Sequence, residues 1–385
     1  MPQTAARLHL FPESVISEMS KLAALYNAIN LSSGYPDFEP PDELLAAAQQ
    51  ALRSGYNQYA DSRGSSRFRQ ALARKQTHFM GMEIDPHAHI IATCGGTEAM
   101  LLALLAVCNP GDKAIVFSPF YETYGPDLYL AGAEPLIVSL QPPDFSLNTD
   151  ELRRAFRLGA RALILCNPSN PSGKVFTPAE LHVIADLAQE YDAFVITDDV
   201  YEHIVYKPHQ HTYISTLPGM FERTLVCGSL SKTYSITGWR LGYVLASAPI
   251  TAAIHKLHTY INLSTPAPLL EAAATALSFP YSYYDQLLAD YTHRRDLLLG
   301  YLAEAGLAYI EPQGAYFVLV DISPTNFDDD VAFCHWLIKE IGIAAVPGSS
   351  FFHEPVKNMI RLNFAKKEPT LIEAGWRLLR IKERI

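Results

Sequence analysis

The chain has 385 residues, 49% of them apolar and 18% charged, and its 40 acidic and 30 basic side chains give a net charge of −10. That composition excludes an intrinsically disordered chain, and its acidic balance argues against a general nucleic-acid-binding surface. The longest apolar run, residues 99–108, is too short to cross a bilayer, so no membrane partner is expected.

The N-terminal MPQTAARLHLFPES has no basic segment followed by an apolar stretch, so no secretory signal is expected. A helical pattern covers residues 14–27. A turn-rich segment, residues 32–41, follows and contains Gly34, Tyr35 and Phe38. Thr93-Cys94-Gly95-Gly96-Thr97 then leads into the apolar helical run. Glycines that open a helix leave free N–H groups suited to a phosphate, although Thr97 could equally serve as a plain cap.

Short, continuous apolar runs rich in β-branched residues recur at 114–117, 136–140, 162–166, 194–197, 224–227 and 243–246. They read as strands covered on both faces. Between two of them, Thr177-Pro178-Ala179-Glu180 has the form of a capping box with proline at the first helical position. Strand–helix alternation argues for an α/β fold with a mostly parallel sheet. After about residue 279 long helices return, with a few strands such as residues 315–320. Two domains are expected: a large one over 46–279 and a smaller one assembled from 1–45 and 280–385.

The five cysteines, Cys94, Cys108, Cys166, Cys227 and Cys334, are odd in number and form no CxxC pair. They are expected to be buried free thiols in a cytoplasmic protein, with no metal site.

In open α/β sheets, ligands bind beyond the carboxyl ends of the strands. The unusual polar clusters fall there. Asn167-Pro168-Ser169-Asn170 follows run 162–166, and Asp198-Asp199-Val200-Tyr201 follows 194–197. Gly228-Ser229-Leu230-Ser231-Lys232 follows 224–227, and Ser118-Pro119-Phe120-Tyr121 follows 114–117. Such residues are common in any turn. Their joint placement at one sheet edge is the signal.

In this order and spacing, NPSNPSG, DDVYE and SLSKTYSITGWRLGY resemble the class I/II aminotransferases of pyridoxal-5′-phosphate (PLP) fold type I. The likeness runs from SGYPDFEPP to IRLNFA, nearly the whole chain. It implies a seven-stranded, mostly parallel sheet flanked by helices, plus a small α+β domain built from both termini. It also implies a homodimer with shared active sites, PLP as cofactor, and an amino acid and a 2-oxo acid as substrates.

The resemblance carries roles with it. Lys232 matches the lysine that holds PLP covalently and moves the substrate proton. Asp198 matches the carboxylate facing the pyridine nitrogen, with Asp199 left to a turn contact. Tyr201 and Asn170 match donors to the phenolic oxygen, while Asn167 is left to the turn. Gly96, Thr97, Ser229 and Arg240 match phosphate-binding positions, with Ser231 a weaker one. Tyr59 matches the tyrosine that reaches the partner subunit's phosphate. Tyr121 matches the ring stacked on the cofactor, with Phe120 as the alternative one register away. Arg361 matches the arginine that grips the substrate carboxylate, and Gly34 the backbone that closes over the substrate, where only glycine is expected to fit. Pro347-Gly348 is expected to be a plain turn.

Segments such as LQPPDFSLN, TDDVYEHIVY and IRLNFAKKEPTL are most similar to bacterial methionine aminotransferases, which in turn resemble kynurenine and glutamine transaminases. This implies transfer from methionine, with aromatic amino acids and histidine as further donors, to a 2-oxo acid by a ping-pong mechanism. Tyr35 and Phe38, which follow Gly34, either line the side-chain pocket or serve in packing, with neither reading preferred. The alternatives are a kynurenine aminotransferase or cysteine-conjugate β-lyase on the same scaffold, and a non-catalytic PLP-binding regulator.

Overall fold

The structure is a computed structural model that describes residues 4–11 and 13–383. Residues 1–3, 12, 384 and 385, which the expected bounds of the smaller domain include, lie outside the described residues. The described strands, in chain order, are β1 (Ile29–Asn30), β2 (Ile90–Thr93), β3 (Lys113–Ser118), β4 (Glu134–Ser139), β5 (Ala160–Cys166), β6 (Phe194–Asp198) and β7 (Thr224–Ser229). They continue with β8 (Gly242–Leu245), β9 (Ala308–Ile310), β10 (Phe317–Asp321), β11 (Ile343–Ala344), β12 (Val346–Pro347) and β13 (Met359–Asn363).

Seven of them form the large sheet, in the order β2-β8-β7-β6-β5-β3-β4. The pairs β3/β4, β3/β5, β5/β6 and β6/β7 are parallel, and β8 runs antiparallel to both its neighbours. The fold is therefore α/β with a mostly parallel sheet, as the alternating patterns require. The side chains of β2, β7 and β8 are almost wholly buried, as expected of strands with helices on both faces. Parallel pairing places the ends of β3, β5, β6 and β7 at one edge. There Cys166 pairs with Asp198 and Asp198 with Cys227. The capping box at Thr177 forms, with the helix spanning Pro178–Glu190.

A second, antiparallel sheet has the order β12-β13-β10-β9, and β1 pairs with β11. One apolar cluster joins both ends of the chain, with Met19, Ala23 and Leu31 packed among Leu298, Phe333 and Leu378. This places the segment before Gly34 beside β13. Among the described residues no helix is long and apolar enough to cross a membrane.

A buried ion pair braces the loop after β6. Lys75 donates to Glu202 at 2.6 Å. Gln76 and Tyr213 donate to the other carboxylate oxygen at 3.2 and 2.6 Å. Burial opposes the charge on Glu202, but Lys75 and then His203 outweigh it and hold the carboxyl well below its usual range. Because one partner alone would leave a buried charge uncompensated, Lys75→Met should cost about 3–5 kcal/mol of stability. Denaturant unfolding checks this, and an unchanged midpoint would count against it.

Candidate active site

The four strand ends open onto a cavity of about 510 Å³. At one end begins the helix Gly95–Val107. Gly95 has φ +80°, and a Cβ there would lie 2.3 Å from a guanidinium nitrogen of Arg240, so the arginine packs directly over the first turn. Gly242 is needed for a similar reason: its Cβ would lie 2.4 Å from the Gly95 carbonyl carbon. Gly96, Thr97, Ser229, Ser231 and Arg240 all line this end. Ser229 Oγ donates to the Leu241 carbonyl at 3.2 Å and accepts from the Ser231 N–H at 3.0 Å. A helix N-terminus, hydroxyls and a guanidinium together suit a phosphate dianion.

Asp198 closes β6. One carboxylate oxygen accepts from the Tyr124 hydroxyl at 2.6 Å, while the other, Oδ1, is buried without a hydrogen-bond partner. Burial raises its pKa, against the pull of Tyr124, the Val200 N–H and Lys232. A buried, unpartnered carboxylate oxygen fits a protonated ring nitrogen. Lys232 Nζ lies in the same cavity and donates to the Gly34 carbonyl at 2.8 Å. With the phosphate cradle, these groups fit PLP.

Arg361 sits in the middle of β13, opposite Leu319 and Val346. It is wholly buried and lies over the rings of Phe317 and Phe351, at 4.2 and 4.7 Å. Nη1 donates to Asn170 Oδ1 at 2.8 Å and Nη2 to the Ser32 carbonyl at 3.0 Å, whereas Nε has no partner. No described carboxylate lies within ion-pair distance of it. Burial lowers its pKa to about 10, so it remains cationic at neutral pH.

Gly34 lies between these groups. Its carbonyl accepts from Lys232 and from the Tyr316 hydroxyl at 2.9 Å. The turn is held from both sides: Asn30 Oδ1 accepts from the Ser32 and Ser33 N–H groups, and Asn363 donates to the Ser33 carbonyl at 2.6 Å. A Cβ on Gly34 would meet no atom within 4 Å.

Tyr121 and Tyr201 also line the cavity. Phe120 faces away from it, toward Val116 and Leu140, so Tyr121 is the ring in position. Asp199 accepts from Thr197 at 2.9 Å and lies outside the lining. Asn167 Oδ1 accepts from the Phe176 N–H, a turn contact. Tyr35 lines the cavity, but Phe38 does not: it packs against Arg294 and Tyr291. The structure does not bring Tyr59 to the cavity of its own chain. It is 80% exposed, in a shallow depression beside Tyr56 and Glu271. Pro347 ends β12, and a Cβ on Gly348 would lie 2.5 Å from the Met359 carbonyl, so this pair is a close-packed corner. All five cysteines are free; Cys108, Cys227 and Cys334 are buried, Cys94 and Cys166 partly so.

Sequence reading missed Tyr124, Asp127, Tyr316 and Glu122. Tyr124 and Asp127 are three apart on the helix Tyr124–Ala131, so helical spacing after Tyr121 could have placed both on the cavity face. Asp127 has an unpartnered Oδ2, and burial, then Asp198, pushes its pKa up to about 7.

Burial also lowers the pKa of Lys232 to about 8, helped by Arg240 and Arg361 and opposed by Asp198. The neutral, nucleophilic amine therefore prevails above about pH 8. In the cofactor-free protein, the rate at which acetic anhydride labels Lys232 should be half-maximal near pH 8 by peptide mass spectrometry. A midpoint near that of an exposed lysine would contradict it.

The family model described as "Aminotransferase class I and II" matches residues 26–377. The methionine aminotransferase of Escherichia coli is 38% identical over 366 residues, covering 95% of each chain. The human kynurenine–oxoglutarate transaminase 1 is 37% identical over 391 residues, covering 92% of each. The solved N-succinyldiaminopimelate aminotransferase of Mycobacterium tuberculosis superposes with a TM-score of 0.96 at 36% identity, over 98% of this chain and 100% of that one.

Proposed function

This chain belongs to the class I and II aminotransferases, and on that premise we propose that its preferred amino donor is methionine, with aromatic amino acids and histidine as further donors and a 2-oxo acid as acceptor. The observation that carries this reading is the set of cations in the cavity. Among the described residues of this chain, the cations in its lining are Lys232, Arg240 and Arg361, and each already has a task. Ile16, Tyr35 and Tyr121 border the remaining space, which suits a thioether or an aromatic ring. A substrate with a second carboxylate finds no further cation among the described residues of this chain.

Members of this family use PLP, which when bound supplies an electrophilic carbonyl for the amino group and an electron-withdrawing ring. The proposed roles of the chain's own residues follow from their surroundings. Arg361 holds the α-carboxylate in a planar fork and so fixes the direction of the Cα–H bond. Lys232 Nζ, with its lowered pKa, takes the proton that leaves Cα. Asp198 presents its free oxygen to the ring nitrogen, and Tyr201 and Asn170 donate to the phenolic oxygen. Gly96, Thr97, Ser229 and Arg240 hold the phosphate, and Tyr121 stacks on the ring. The exposed position of Tyr59 supports its expected reach into a second subunit, hence a homodimer. The shared cluster of the two chain ends supports a smaller domain built from both termini around a large one.

A side-by-side comparison of kcat/KM for the standard amino acids, with several 2-oxo acid acceptors, tests the substrate reading. Methionine should lead, and a dicarboxylic amino acid in first place would overturn it. Pyruvate and ammonia released from a cysteine conjugate without an acceptor would favour the β-lyase alternative. Arg361→Lys, which keeps the charge but loses the fork, should lower kcat/KM for methionine about 10- to 100-fold. A loss below twofold would remove Arg361 from carboxylate binding.

A further inference from the structure

We propose that Glu122 sets the charge specificity of the cavity, excluding amino acids and 2-oxo acids that carry a second carboxylate and admitting those with uncharged side chains. The inference rests on the aminotransferase reading and deepens it. Glu122 lies in the turn between β3 and the helix Tyr124–Ala131, next to Tyr121, and it lines the cavity. Its Oε1 accepts from Ser14 Oγ at 2.5 Å. Ser14 caps the helix Val15–Leu25 by accepting from the Ser17 N–H at 3.1 Å. Ser17 and Ser20, one and two turns on, line the cavity beside it. These hydroxyls and one anion thus share the wall with Ile16, Tyr35 and Tyr121.

The charge on Glu122 reaches the substrate site. It is one of the groups that favour the cationic form of the Arg361 guanidinium. The other lining acids, Asp127 and Asp198, lie together at the ring end. A substrate gripped by Arg361 therefore sends its side chain into a space where the uncommitted charge is negative. A distal carboxylate there meets like charge. An amide, thioether or aromatic ring meets no such penalty. This is discrimination by repulsion.

Glutamine and glutamate have nearly the same shape and differ in charge, so they isolate the effect. In the cofactor-loaded enzyme, the ratio of kcat/KM for glutamine over glutamate should be at least about tenfold. It should fall about tenfold in Glu122→Gln and in Glu122→Ser, mainly through a lower KM for glutamate. Ser14→Ala removes the hydrogen bond and keeps the charge, so it should preserve the wild-type ratio. Either of two results overturns the proposal: a ratio that stays within twofold of wild type in both Glu122 variants, or one that falls as far in Ser14→Ala. Methionine takes no part in this comparison. Methionine preference can therefore fail while the ratio still responds to Glu122, and the reverse.

Discussion

A guanidinium buried without a carboxylate partner is the constraint on which the rest of the site depends. Burying a charge is costly unless it is paired and hydrogen-bonded. Among the described residues, Arg361 has two neutral oxygen acceptors, from Asn170 and Ser32, and two flanking aromatic rings. Those contacts orient it, and its charge is left for an anionic ligand. The arrangement also needs three parts of the chain at once. Ser32 comes from the N-terminal segment, Asn170 from the turn after β5 of the large sheet, and Arg361 from β13 of the small one. The cluster of Met19, Ala23 and Leu31 with C-terminal residues brings these parts together.

The same convergence places Gly34. Its carbonyl accepts from Lys232, of the large-sheet edge, and from Tyr316, next to β10. The Lys232 amine and the Arg361 guanidinium are thus both hydrogen-bonded to one turn, at Gly34 and Ser32. On the opposite side, Asp198 keeps an unpartnered carboxylate oxygen and Arg240 packs over the Gly95 turn, surroundings that suit a cofactor ring and its phosphate. The chain's net charge of −10 gives no hint of this, because the three cavity cations are few and local.

Much of this was legible in the sequence because parallel strands show their nature in short, continuous apolar runs. Six of the seven strands of the large sheet were visible that way. β2 was not: its residues, Ile90–Thr93, run directly into the Cys94-Gly95-Gly96 turn and the apolar helix behind it. The polar clusters after β3, β5, β6 and β7 converge because parallel pairing sends those ends to one edge, and the family resemblance supplied the individual roles. Contacts distant in sequence stayed hidden. Tyr124 meets Asp198 74 residues away, and Glu122 meets Ser14 108 residues away; no local pattern encodes either. Phe38 shows the limit of nearness in sequence. Its place beside Gly34 left pocket lining and packing equally open, and the ring packs on Arg294.

The most direct test of the site is a crystal structure of the cofactor-loaded protein with methionine bound. The α-carboxylate should accept two hydrogen bonds from the Arg361 guanidinium, with the thioether lying toward Tyr35 and Ile16. A carboxylate bound elsewhere, with Arg361 still turned only to Asn170 and Ser32, would contradict the account.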